Sequence, residues 1–247
     1  MESTSFYMIL PSSTKSSDDI YPKNTASAFR IRLPKTIYLK NKYEVALAEI
    51  TYPHSWPTFN FDDDYVFKYA VPSGEVFSLS IPQGFYTNIE DLIRELNLAL
   101  GNSTGVVFGY HPIPAKVRLY LKADHALMFS RGLADVLGFE YKEVYTQTTI
   151  GSYAADIKRG FNSLYVYCNI CKPQIVGDAY VPLLRTVFIT GRHGQVVNHI
   201  FESPHYVPVN TDSFDTIEIN IKNDVNENVS FQSGKVICKL HFRQKAL

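Results

Sequence analysis

Disulfide chemistry has little to work with in this chain. Cys168, Cys171 and Cys238 are its three cysteines among 247 residues, an odd and sparse set unlike the even framework of a disulfide-stapled domain. Residues 1–10 lack the basic start and hydrophobic length of a secretion signal, since Glu2 is acidic and the apolar run 6–10 is short, so reduced thiols in an intracellular compartment are expected. No later stretch approaches the ~18 uninterrupted apolar residues that a membrane span needs, and no membrane contact is expected. Net charge is also missing: 24 Lys and Arg balance 24 Asp and Glu. Without a dense basic segment there is no electrostatic footprint for sequence-specific nucleic-acid binding. Neutrality does remove one barrier to self-association, because strongly charged proteins repel their own copies.

Motifs of chemistry are scarce as well. There is no G-x-S-x-G elbow, Walker loop or dinucleotide glycine fingerprint, and the seven His residues show no HxH or HExxH spacing. The tightest constellation is Cys168-Asn169-Ile170-Cys171. Zinc would want a second ligand pair, and a redox CxxC normally opens a helix, so these read as ordinary thiols at a strand end. Asp62-Asp63-Asp64 lacks the spaced ligands, Gly and terminal Glu of a calcium loop and reads as a solvated turn. Gly191-Arg192-His193-Gly194 reads as a hairpin turn. No enzyme activity, metal or cofactor is expected.

What the chain has is alternation. Ile217, Ile219 and Ile221 face one way, Glu218, Asn220 and Lys222 the other, as in a strand with one wet side. Val236, Cys238, Leu240 and Phe242 repeat the pattern, as do Val117, Leu119 and Leu121. Further strands are predicted at 5–10, 29–33, 43–52, 65–71, 164–170 and 185–190, rich in Tyr, Phe, Val and Ile. The segment 11–24 is polar enough to run as a surface loop.

Helices are predicted only in the middle. Thr87 with Glu90 matches a capping box, Ile89, Leu92, Ile93, Leu96 and Leu100 recur at helical spacing, and Gly101 supplies a stop. A shorter helix is predicted at 133–137. With strands at 76–81, 106–110, 117–121 and 126–129 these make a compact α+β block. Because crossover helices are absent elsewhere, the flanking strands must pair antiparallel. The prediction is a mainly β chain: a single jelly-roll β-sandwich from residues 1–72 and 147–247, with a small α+β insertion at 73–146.

The 17 Tyr and 16 Phe, beside a single Trp, are an unusual supply: most are expected to fill the sandwich core and some to serve partners, since aromatic residues are enriched at interfaces. In Tyr52-Pro53-His54-Ser55-Trp56-Pro57 two prolines are expected to hold a rigid loop that presents an aromatic.

Several phrases, read in order, give the sequence a family likeness. They are Phe6 to Ser12, Phe29-Arg30-Ile31-Arg32-Leu33-Pro34, Tyr43 to Ile50 with Tyr52-Pro53-His54-Ser55-Trp56, and Gly84-Phe85-Tyr86-Thr87. Pro173-Gln174-Ile175-Val176-Gly177-Asp178, Pro182-Leu183-Leu184-Arg185, Tyr206-Val207-Pro208-Val209 and Leu240-His241-Phe242-Arg243 follow. In these the chain resembles the penton (minor capsid) proteins of Polinton/Maverick elements and adintoviruses. The resemblance implies a virion protein that forms homopentamers at icosahedral vertices beside a double-jelly-roll major capsid protein, with assembly in the host cell interior and no catalytic residues. Contacts to partners are then expected from His54 and Trp56 and from the proline-framed stretches holding Pro173, Ile175, Pro182, Leu183, Leu184 and Arg185. The competing reading is a carbohydrate- or receptor-binding β-sandwich, because loops at sandwich ends often carry binding.

Overall fold

In a computed structural model, which describes residues 5–40, 42–59, 62–101, 104–159 and 161–245, alternation becomes strand nearly everywhere it occurs. In chain order the first elements are β1 (Ser5–Pro11), α1 (Lys15–Ile20), β2 (Ala28–Tyr38), β3 (Tyr43–Pro53), β4 (Val66–Ala70) and β5 (Val76–Ser80). Next come α2 (Ile89–Leu100), β6 (Val106–His111), β7 (Lys116–Leu121), β8 (Ala126–Phe129), α3 (Arg131–Leu137) and β9 (Thr149–Ile150). The last are β10 (Ser163–Cys168), β11 (Gln174–Val176), β12 (Ala179–Val181), β13 (Leu183–Phe188), β14 (Val196–Ile200), β15 (Val207–Pro208), β16 (Ser213–Lys222) and β17 (Ile237–Gln244).

The chain forms two units, Met1–Trp56 with Phe161–Leu247, and Pro57–Gly160. In the first, one sheet runs β1-β17-β3-β14 with β15 also on β3, and the other runs β13-β10-β16-β2. All pairings are antiparallel. The chain alternates between the sheets through β1, β2, β3 and β10, pairs β13 beside β10, then alternates again through β14, β16 and β17. That order makes two Greek keys folded over each other, a jelly roll. Between the sheets lie Leu47, Ile50, Tyr52, Val166, Ile219, Leu240 and Phe242, all fully buried. Strict alternation in β16 puts Ile217, Ile219 and Ile221 into this core, while Glu218 pairs with Arg30 of β2 at 2.7 Å on the wet face.

The second unit has its own core, with Leu92, Leu96, Leu119, Leu127 and Leu133 buried. It holds two three-stranded sheets, β5-β4-β8 and β6-β7-β9. Helix α2 packs its apolar stripe inward and is capped by Asn88, whose side chain accepts from Asp91 N at 2.8 Å. The cap is therefore Asn88 rather than Thr87: the frame shifts by one residue, and the side-chain oxygen takes the Asp91 N–H in place of the Glu90 N–H that a Thr87 cap would take.

The division differs from the predicted 73–146. Strand 65–71, assigned by its periodicity to the sandwich, pairs as β4 with β5 and β8 in the second unit. Its place in the sandwich is taken by β14, which no alternation flagged. Residues 191–194 do not turn a hairpin either. They join β13 and β14, which belong to different sheets. The polar segment 11–24 folds a single helical turn and a half, α1, because Thr14 caps it and the Tyr21 N–H closes on Ser17 O at 2.7 Å.

Candidate assembly surfaces

The loops at one end of the sandwich close on an aromatic cluster. His54 stacks on Trp56 at 4.1 Å, and the Trp56 ring meets Phe161 and Phe231 edge-on at 5.5 and 5.7 Å. Backbone bonds lock the same end: His54 N to Gln195 O, Gly194 N to His54 O, and Gln232 N to Ser55 O. Both His54 and Trp56 are only 7% exposed. The sequence-based expectation that prolines present this aromatic outward is overturned. Burying an indole gains more than the stiff loop costs, so Trp56 pins together the chain segments on either side of the break in the sandwich, Trp56 itself and Phe161.

The opposite end is different. There Leu39 N bonds Asp212 O and Asn210 N bonds Ile170 O, and from this end projects the hairpin of β11 and β12. Its strands pair Gln174 with Val181, Ile175 with Tyr180, and Val176 with Ala179. A two-residue loop joins them, and Gly177 takes φ +62°, as the first central position of a tight primed turn requires. Ile175 is 80% and Tyr180 66% exposed. A two-stranded ribbon is marginal by itself in water, and this one, pairing with no other strand among the described residues, offers a cross-strand apolar pair to solvent. At the same end Tyr38, the last residue of β2, is also exposed.

The other predicted contact residues divide by the strand alternation of β13. Leu184 is buried in the core, facing inward as a sandwich strand dictates, so its side chain is not offered to a neighbour. Pro173, Pro182 and Leu183 are half-buried around the hairpin base. Arg185 is engaged within the chain: its guanidinium lies 3.8 Å over the Phe201 ring and Nη1 donates to Ser203 O at 3.2 Å. Burial there lowers its pKa. The hairpin and the Trp56 cluster thus belong to opposite ends of the sandwich, and the predicted contact residues form no single patch. Tyr180 was missed because a lone exposed Tyr carries no periodic signal; its pairing with Ile175 follows only from placing the Gly177-Asp178 turn.

The three thiols lie in the core, each at most 1% exposed. A hydrogen bond between Cys168 and Cys171, together with burial, raises the Cys171 pKa, and burial does the same for Cys238. Thiols so held are poor nucleophiles at neutral pH. Asp62 and Asp63 are exposed as expected, but Asp64 is buried: it accepts from the Ser130 hydroxyl at the start of α3 and lies 3.8 Å from Arg159. Among the described residues no group of three or more His, Cys, Asp and Glu is placed to hold a metal, and no helix is long and apolar enough to cross a membrane.

A shallow groove of about 330 Å³ runs beside the start of α2, lined by Gln83, Phe85, Tyr86, Asp91, Arg94 and Glu95 among others. Arg94 pairs with Asp91 at 2.9 Å and Glu95 at 3.4 Å. The Tyr86 hydroxyl donates to Pro82 O at 2.6 Å, and burial, with the charge of Glu95, pushes its pKa to about 12. A protonated phenol beside the Asp91–Arg94–Glu95 ion pairs gives the groove polar groups that can orient a polar ligand.

No protein-family model matches the sequence, and no curated protein matches it. Among solved structures, the mavirus penton protein is similar with a TM-score of 0.50 at 13% identity, over 97% of this chain and 100% of its own. A chain of the Sputnik virophage cryo-EM structure is similar with a TM-score of 0.50 at 12% identity, over 99% of both chains. The mainly β jelly roll with its α+β insertion is thus a fold that this chain shares from end to end with the mavirus penton protein.

Proposed function

We propose that this chain is a capsid protein, a penton that closes into homopentamers at the icosahedral vertices of a particle whose faces are built by a double-jelly-roll major capsid protein. The observation that carries the reading is the fold match to the mavirus penton protein over essentially the whole of both chains. The buried thiols of Cys171 and Cys238, whose pKa values burial raises, agree with a non-enzymatic role. Balanced charge adds no long-range repulsion between copies.

In a ring each subunit meets its neighbours through two different faces, and closure depends on a fixed rotation between them. The β11–β12 hairpin suits such a contact. It is short and stiffened by prolines at 173 and 182, and its Ile175–Tyr180 pair gains most by burial in a second copy. The groove beside α2, with carboxylates, an Arg, an amide and two aromatic rings, favours a second reading as a sugar-binding module, which glycan-array binding lost on Asp91→Ala would support.

Light scattering at several concentrations and salt levels tests the assembly. The expected species has five times the 28.1 kDa of one chain, about 140 kDa, and Ile175→Asp with Tyr180→Ser should convert it to monomer. A wild-type monomer that persists even when co-expressed with a double-jelly-roll major capsid protein would overturn the penton reading.

A further inference from the structure

The hairpin of β6 and β7 carries a surface that its own unit does not use. At its tip Ile113 stands between Pro112 and Pro114 and is 98% exposed. Ala115 closes the loop at φ +52°, its N–H bonded to Pro112 O at 3.2 Å. Two prolines fix the backbone on either side of Ile113, so little conformational freedom remains to be lost when something binds it.

Behind the tip lies the outer face of the β6-β7-β9 sheet. The register sets Val107 against Tyr120, Gly109 against Arg118, and Arg118 against Ile150. Val107, Tyr120 and Ile150 are 51%, 40% and 47% exposed, while their strand neighbours Phe108, Val117 and Leu119 fill the core. Gly109 is small for a reason visible here: an added Cβ would come within 3.2 Å of the Tyr120 ring.

Arg118 is the distinctive member. Its guanidinium sits 5.2 Å from the Tyr120 ring centre and Nη1 donates to the Tyr120 hydroxyl at 3.4 Å. Among the described residues its buried Nε finds no hydrogen-bond partner, which costs stability, and the guanidinium nitrogens beyond it are the ones a carboxylate would meet. Lys116 lies two residues along on the same face, its Nζ donating to the neutral Ser152 carbonyl at 3.0 Å, and the paired positions of this face carry no carboxylate.

We propose that the outer face of β6-β7-β9, with the Ile113 tip, is a docking surface for an acidic protein segment, which seats an apolar side chain among Val107, Tyr120 and Ile150 and places a carboxylate on Arg118. Tyr and Arg are residue types enriched in protein hot spots, and the exposed Val107 and Ile150 add apolar area around them. Two fixed cations are too sparse to hold a polyanion such as a nucleic acid or a sulfated glycan, and one Tyr beside Val and Ile is a poor platform for successive bases, which stack on several rings. The proposal stands independently of the penton assembly.

Selection of random linear peptides on the immobilised full-length protein tests it. Enriched peptides are expected to combine Asp or Glu with a large apolar residue. Their synthetic versions should lose about tenfold or more in affinity, roughly 1.4 kcal/mol, on Arg118→Glu or Tyr120→Ser. They should weaken with salt and be untouched by Val196→Asp on the sandwich. Circular dichroism melts establish that the variants fold. Several outcomes overturn the proposal: no enrichment over the naive library, enriched peptides without carboxylates, or affinities indifferent to Arg118→Glu. Binding to phosphatidylserine vesicles or heparin that requires Arg118 would assign the surface to a lipid or a glycan instead. A solution mass changed by Arg118→Glu would assign it to contacts between copies.

Discussion

Gly132 shows how tightly single residues are held in the second unit. It is the second residue of α3, buried, and a Cβ added there would collide with the Asp64 carboxyl group, which itself takes the Ser130 hydroxyl. The carboxylate thus lies against the helix backbone, where only hydrogen leaves it room. Gly132→Ala should destabilise the fold by about 1–3 kcal/mol, the cost of overpacking a filled site. In an Asp64→Ala background the same change should cost little, because the group it strikes is gone and the two sites couple. Denaturant midpoints of the two single variants and the double variant measure this, and additive losses would refute the contact. The Asp62-Asp63-Asp64 run carried no sign of this division of labour. Adjacent carboxylates look alike in a sequence, and only the 3-10 turn of Asp62–Tyr65 and α3 together turn the third one inward.

At the scale of elements, the strands and helices with one wet face were legible and those defined by distant partners were not. Helix α2 and strands β16 and β17 follow from periodicity because half of each faces water. Strand 65–71 also follows from it, but periodicity says nothing of which sheet a strand joins, and the β5 and β8 edges claim it. Strand β14 is short, and only its second residue, Val197, is buried, so it lacked the alternation that reveals its neighbours. The Pro-framed aromatic was read as exposed because loops usually are; Trp56 is large enough to be worth burying. One element pairing could not be foreseen at all. The Asn97 side chain of α2 completes the free edge of β6, accepting from Phe108 N and donating to Phe108 O, both at 2.8 Å. An amide here imitates a missing strand. Asn97→Leu keeps the bulk and raises the helix propensity but leaves both groups of the buried Phe108 backbone unpaired, at about 1–3 kcal/mol for each group. The expected readout is a lowered denaturation midpoint together with faster hydrogen exchange at the Phe108 amide. Unchanged exchange at that position would show that the edge does not need the amide.

The whole molecule consists of two cores that the chain enters at one place. Every residue of the sandwich core lies before Pro57 or after Gly160, and every residue of the second core lies between them. The residues on either side of the break are neighbours, with the Trp56 and Phe161 rings 5.5 Å apart, so closing the gap directly requires only a short loop and little closure entropy. Replacing residues 57–160 with a short Gly-Ser linker should therefore leave a folded jelly roll, with its tryptophan still shielded in the cluster of Trp56, Phe161 and Phe231. A cooperative melt and a blue-shifted tryptophan emission, poorly quenched by iodide, are the expected signs, and Trp56 is the chain's single reporter. The same deletion separates the assembly surfaces. A deleted chain that still forms the ring would place the essential contacts on the sandwich, where Ile175 and Tyr180 stand. A folded monomer would place them on residues 57–160, and a chain with exposed, fully quenched Trp56 would show that the sandwich cannot close its end without the insertion.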